Sequence, residues 1–283
     1  MSSRAKWTVL ALSLAGGCLD HTPLGPGADV VVVHAVLNPT RSVQHVDVRH
    51  SMIDQVDLAR GIPVHGATVT LTAPDGSVHV APEVLTPGDP GDTLNYGARY
   101  DVDLGALTVG TPYHLRVVTA DGTVTEGDAI VPAAPPLNAM AERRFDPATD
   151  TLRFAWPRAA GARAYEVRII PQLDSSNVIF TDPSSGQPYY YAYVGDFLAY
   201  VDTSVTIAGT ARRRSTPVFE PGGRYIAIVS AVDDHYYDYF SHESDPYTDT
   251  PLPSSLRGGV GVFGAIVPIV WQSIVVEGSS GGR

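Results

Sequence analysis

The residues best suited to chemistry in this chain are its tyrosines. Two runs concentrate aromatic surface, Tyr189-Tyr190-Tyr191-Ala192-Tyr193 and Tyr236-Tyr237-Asp238-Tyr239-Phe240. On strands, Tyr189, Tyr191 and Tyr193 share one face, Tyr237 and Tyr239 share another, and Tyr236 points the opposite way. A phenol offers a rigid flat ring with a hydroxyl at its tip, which suits a sugar ring or a protein partner. The same rings can instead cover the core of an enlarged sandwich with their hydroxyls reaching solvent. Alternation leaves both readings open, so Tyr189, Tyr191, Tyr193, Tyr236, Tyr237 and Tyr239 form the candidate binding surface for a glycan or peptide.

Other chemistries have weaker footholds. His235, Asp238, His242 and Glu243 follow Asp233-Asp234 within a few positions, but no His-Glu-x-x-His spacing occurs. On a strand His235 and His242 face opposite ways, so a solvated loop is expected there and no metal site. Asp101 and Asp103 share a strand face, yet no glycine loop accompanies them as a calcium site requires. No Gly-x-Ser-x-Gly elbow lies within residues 28–276; the one match to that pattern, Gly278 to Gly282, falls in the glycine- and serine-rich tail. No local pattern marks the paired carboxylates of a glycan-active hydrolase. The expectation is a chain with no catalytic residue and no cofactor. The net charge is −11, and Arg212-Arg213-Arg214 is the only basic block, which argues against a nucleic-acid partner.

The chain carries a single cysteine, Cys18. Residues 1–17 read as an export leader: Arg4 and Lys6 are its positive region, Trp7 to Ala15 its apolar stretch, and Gly16-Gly17 its small-residue zone. The run Leu14-Ala15-Gly16-Gly17-Cys18 resembles a bacterial lipoprotein signal, with its leucine one place further upstream than in the commonest form. That resemblance implies fatty (palmitate-type) acylation of Cys18, residues 18–27 as a Pro/Gly tether, and attachment to the outer membrane, periplasmic or surface-exposed. Arg4 and Lys6 leave with the leader, so the remaining chain carries −11 − 2 = −13. The late apolar run Val260 to Val276 is interrupted by Pro268, Gln272 and glycines, and reads as buried strands instead of a transmembrane helix.

The elements that position these residues read as short strands. Composition allows a real core, at 44% hydrophobic and 17% charged, and frequent Gly (27) and Pro (23) cut the apolar runs short. Asp29 to Leu37, Val43 to His50, Ala67 to Ala73 and Tyr113 to Val117 alternate or run β-branched, with Asp75-Gly76 and Asp121-Gly122 as turns. The expected fold class is all-β, two Ig-like or fibronectin type III-like antiparallel β-sandwiches in tandem. The first spans about 28–132 and the second 137–276. Between them 133–136 is a proline linker that separates independently folding halves, and 277–283 is a tail.

Pro63 to Leu71 resembles a strand of prealbumin-like and Ig-like modules. Leu152 to Trp156, Gly161 to Ile169 and Gly222 to Val232 resemble three strands of a fibronectin type III module, with Trp156 and Tyr225 in its core. Residues 171–221 then form a long insertion, the place to look for recognition. The opening Val32-Val33-His34-Ala35-Val36-Leu37-Asn38-Pro39 and the closing Gly258-Gly259-Val260-Gly261-Val262-Phe263-Gly264-Ala265 resemble an uncharacterised family of Bacteroidota-type outer-membrane lipoproteins. Its members often stand beside TonB-dependent receptors. The resemblance implies such a receptor as partner and a role as binding or accessory component of nutrient uptake, with no catalytic residues to transfer. A structural or adhesive surface lipoprotein is the alternative. The glycine run reads as a tight β-turn, since it lacks the Gly-Lys-Ser/Thr of a phosphate loop.

Overall fold

The structure, a computed structural model, describes residues 30–51, 62–86, 97–138, 140–172, 178–181, 188–190, 197–213, 216–220, 222–243 and 253–277. The first half forms β1 (Val31–Leu37), β2 (Val43–His50), β3 (Ile62–Pro63), β4 (Thr68–Thr72), β5 (Val78–Ala81), β6 (Glu83–Thr86), β7 (Gly97–Asp103), β8 (Pro112–Val118) and β9 (Val124–Ile130). The second forms β10 (Met140–Phe145), β11 (Thr151–Ala155), β12 (Ala164–Pro171), β13 (Val178–Thr181), β14 (Pro188–Tyr190), β15 (Phe197–Val201), β16 (Ser204–Ala208), β17 (Arg212–Arg213), β18 (Thr216–Pro217) and β19 (Arg224–Val232). Among the described residues one helix, α1 (Asp234–Glu243), and a final strand, β20 (Val260–Val276), complete it.

The fold class is all-β, built of sandwiches with mostly antiparallel sheets. Period-2 alternation sets the layers. Val33, Ala35, Val46 and Val48 point inward from β1 and β2 against Val69, Leu71, Leu115 and Val117 from the sheet β5-β4-β8-β9. In the second half Tyr165, Val167 and Ile169 of β12 point inward, with Leu152 and Phe154 of β11 and Ile207 of β16 in the same core. Trp156 packs edge-on to Tyr165 at 5.3 Å, and Phe154 lies 4.6 Å from Trp271, so the tryptophan does occupy the core.

Buried tyrosines tie loops to strands. The Tyr113 hydroxyl accepts from Thr108 N, and that of Tyr225 from Glu220 N, each five residues upstream at 2.8 Å. This is the tyrosine-corner geometry of Ig and related sandwiches, in which a core ring reaches a loop amide that would otherwise be orphaned.

The proline linker does not divide the hydrogen bonding. A ten-stranded sheet runs β15-β12-β19-β20-β1-β2-β7-β6 across both halves, with β10 and β3 alongside. The first part of β20 pairs parallel with β1, from Val32↔Val260 to Leu37↔Ala265. Its remainder pairs with β19 and, parallel again, with β10. Residues 260–265 therefore complete the first sandwich, and the chain must return from its far end to do so.

Two smaller expectations change. The glycines of 258–264 do not make one tight turn. Gly258 and Gly259 form the bend before β20; Gly261 and Gly264 lie within β20 where a Cβ would meet Val33 O at 2.1 Å and Tyr236 N at 2.8 Å. Close backbone approach, which no side chain could tolerate, is their physical reason. The 171–221 stretch is also only partly an insertion. Within it, β15 pairs with β12 and β16 with β11, so both are regular members of the sandwich.

Candidate functional site

The segment expected as strand or solvated loop around Tyr236 is a helix. Asp233 caps it, accepting a 2.8 Å hydrogen bond from Tyr236 N, the third helical residue. Asp234 stands in the first turn and His242 in the last, both favourable to the helix dipole. Faces therefore follow the helical period, and Tyr236, Tyr239 and Phe240 sit three and four apart. Alternation of period 2 had paired Tyr237 with Tyr239; the helix separates them.

α1 lies on the outer face of the large sheet, away from the sandwich core. Tyr236 packs with Ala164 and Val232, flanked by Val36, Tyr237, Tyr200, Phe240 and Ile266, in a second small core. The bare backbone of Gly264 beneath Tyr236 N permits this approach. The Tyr236 hydroxyl donates to Glu166 Oε2 at 2.6 Å, and Glu166, on β12, is 3% exposed. Burial, then the adjoining carboxylate, pushes the Tyr236 phenol above its ordinary range. The Tyr239 hydroxyl is hydrogen bonded to His34 Nε2 on β1 at 2.6 Å, and the two rings meet edge to face at 5.0 Å. His235 Nδ1 donates to the Phe263 carbonyl at 3.1 Å. Burial raises the Asp233 carboxyl from 3.8 to about 6, against the pull of the backbone hydrogen bonds at Ala265 and Tyr236 and of His235.

One part of this arrangement faces outward. Tyr237 is half-buried; the Arg163 guanidinium lies over its ring at 4.9 Å, and Tyr200 of β15 stands edge-on at 6.0 Å. Arg163 is also 3.5 Å from Asp234, and both are exposed. Tyr236 and Tyr239, at 9% and 6% exposure, are packing residues; of the helical tyrosines Tyr237 alone reaches an open surface. Sequence reasoning missed Arg163, Tyr200 and Glu166. The signal was there in part: Glu166 alternates with the inward Tyr165 and Val167, which places it on the outer face.

The remaining candidates are used otherwise or lie outside the description. The backbone of Tyr189 is in β14, opposite Phe180; its side chain, and all of Tyr191, Tyr193 and Cys18, are outside the described residues. His242 Nδ1 donates to the Asp238 carbonyl at 2.6 Å, and among the described residues no group of three or more His, Cys, Asp or Glu is placed to hold a metal. The Asp101 carboxylate takes His45 at 2.7 Å and Arg99 at 3.0 Å, and Asp103 accepts from Gly105 N. Asp75, Ser77 and His79 cluster in an exposed turn. There the Ser77 hydroxyl donates a hydrogen bond to Asp75 at 2.6 Å, so the carboxylate accepts from the serine and does not orient the histidine as a base. Among the described residues no helix is long and apolar enough to cross a membrane.

The strand order, the core tryptophan and the tyrosine corners define an Ig- or fibronectin-like sandwich protein. A family model described as Domain of unknown function (DUF4249) matches residues 21–267, and the chain belongs to that family. No curated protein matches it. Among solved structures it is similar to the DIP-gamma domains IG1 and IG2, at 12% identity over 88% of this chain and 97% of that one, TM-score 0.21. It is similar too to the FN1–FN3 domains of chicken CNTN1, at 11% identity over 88% and 68%, TM-score 0.21. The titin domains z1z2 in complex with telethonin match at 13% identity over 89% and 95%, TM-score 0.19.

Proposed function

We propose that this protein is a non-enzymatic, lipid-anchored envelope protein that recognises a protein or glycan partner. The carrying observation is the half-buried Tyr237 and Tyr200 with the exposed Arg163 beside them, on the outer face of a ten-stranded sheet. A cation stacked on one phenol and a second phenol edge-on present flat apolar area with hydrogen-bonding tips. These are the residue types that dominate protein interfaces, and little rotamer entropy is left to lose because packing already orders them. The anchor is Cys18, supported by the leader that precedes it. From the lipoprotein resemblance, the partner is a TonB-dependent receptor, at the outer membrane.

The test is affinity capture of the native lipoprotein from detergent-solubilised envelope, with wild type beside Arg163→Ala and Tyr237→Ala. Co-purification of a TonB-dependent receptor with wild type, reduced at least tenfold in the variants, is expected. A receptor captured equally by all three would place the contact elsewhere. Absence of any such receptor from the wild-type eluate would contradict the accessory role and favour the structural or adhesive one.

A further inference from the structure

Strand direction orders the whole molecule along one axis. β1 starts beside Val260 and runs parallel to β20, which continues to Val276 in the second half. One outer end therefore holds the start of β1 with the turns packed around it. Gly258 abuts Val124, where a Cβ would stand 2.1 Å from the Val124 carbonyl oxygen, and Glu126 bridges to Arg257. The Ala120–Thr123 turn precedes β9 at this same end. The opposite end holds the Asp146–Asp150 turn and Gly222. Glu277 N donates to the Phe145 carbonyl at 2.8 Å and Gly222 N to that of Val276 at 3.1 Å. The 17 residues of β20, at a strand rise of ~3.3 Å, separate the two ends by about 55 Å.

Cys18 and Val30 are 30 − 18 = 12 positions apart, at most about 42 Å of extended chain. Resting on the reading that Cys18 carries the lipid, we propose that the end bearing Ala120–Thr123 and Gly258 is the membrane-facing surface, opposed to lipid headgroups. The Asp146–Asp150 and Gly222 end points away. An inverted molecule would hold Val30 about 55 Å from the headgroups, beyond the tether's reach. A molecule lying flat would bring more of a chain of net charge −11 − 2 = −13 against anionic headgroups than an upright one does. Upright, the Tyr237–Arg163 group stands clear of the bilayer. α1 leaves β19 where Asp233 N donates to the Ala265 carbonyl, and the strand rise from Val260 to Ala265 is about 17 Å.

The experiment uses full-length protein purified from membranes, with Ala120→Cys or Thr149→Cys introduced at exposed positions near either end. Each is labelled with a donor fluorophore and reconstituted into phosphatidylethanolamine/phosphatidylglycerol vesicles carrying an acceptor lipid. Energy transfer from position 120 should exceed that from 149 several-fold. Equal transfer, as a flat molecule gives, or the reverse order would overturn the proposal. A second arm holds the same variants on nickel-chelating lipid through a hexahistidine segment replacing residues 1–18. Unmodified protein separates the two claims, because acylated Cys18 offers no thiol. If it takes up label and leaves the vesicles, the lipid reading fails, and the second arm alone decides whether the start of β1 faces the surface.

Discussion

Gly264 and Tyr236 touch backbone to backbone: a Cβ on Gly264 would stand 2.8 Å from Tyr236 N and 3.0 Å from Asp233 Oδ1. The helix cap thus rests on a site that admits no side chain. Gly264→Ala should lift α1 and destabilise the protein by about 1–3 kcal/mol, the usual cost of overpacking. Urea denaturation measures it; an unchanged midpoint would mean that α1 does not bear on β20.

The Glu166 carboxylate depends on Tyr236 for a donor in a buried place. Tyr236→Phe keeps the ring and removes the hydroxyl, so about 1.5–3 kcal/mol should be lost, as for a hydrogen bond to a charged group. In a Tyr236→Phe/Glu166→Gln cycle the two changes should be strongly non-additive. Additive losses would show that the pair does not interact.

Asp233 gives the fold a pH dependence of unusual sign for a carboxylate. Its folded value, about 6, lies above its ordinary 3.8, because burial penalises the charge. Its contribution is fully present below pH 3.8 and is lost as pH rises through about 6. Asn keeps the capping oxygen without the charge. Asp233→Asn should match wild type near pH 4 and exceed it at pH 7.5, by up to about 3 kcal/mol from a shift of that size. Parallel melting curves across the range would refute this assignment.

The linker at 133–136 suggests separable halves, while β20 joins them. Residues 28–132 alone lack the strand that pairs with β1, leaving an apolar edge open. That fragment should show no cooperative melt in calorimetry, and a chain ending at residue 259 should fail likewise. A stable, cooperatively melting fragment would show that 260–265 is dispensable to the first sandwich.

What was legible in the sequence was local. Val46 with Val48, Val69 with Leu71, and Tyr165 with Val167 and Ile169 face inward as period 2 requires, and Asp75-Gly76 and Asp121-Gly122 turn with positive φ at their glycines. Trp156 and Tyr225 are core residues, as the fibronectin resemblance implies. The parallel partnership of β1 with a strand more than two hundred positions later leaves no local pattern, since β-branched runs do not name their neighbours. The helix was hidden for another reason. Tyrosine and phenylalanine favour strands, and Asp233 reveals itself as a cap only once the face that receives α1, opened by Gly264, is known. Arg163 and Glu166 acquire their roles from that same docking.

The central claim, a lipid anchor at Cys18, is tested most directly by mass spectrometry of the N-terminal peptide after amine-directed labelling of denatured, membrane-bound protein. Past Cys18 the chain contains no lysine, since Lys6 is the only one. The predicted result is a peptide beginning at acylated Cys18. It carries no label if its α-nitrogen is acylated, and label there alone if only its sulfur is modified. Label on Met1 or Lys6 in the bulk of that population would contradict the account, because the leader would still be attached.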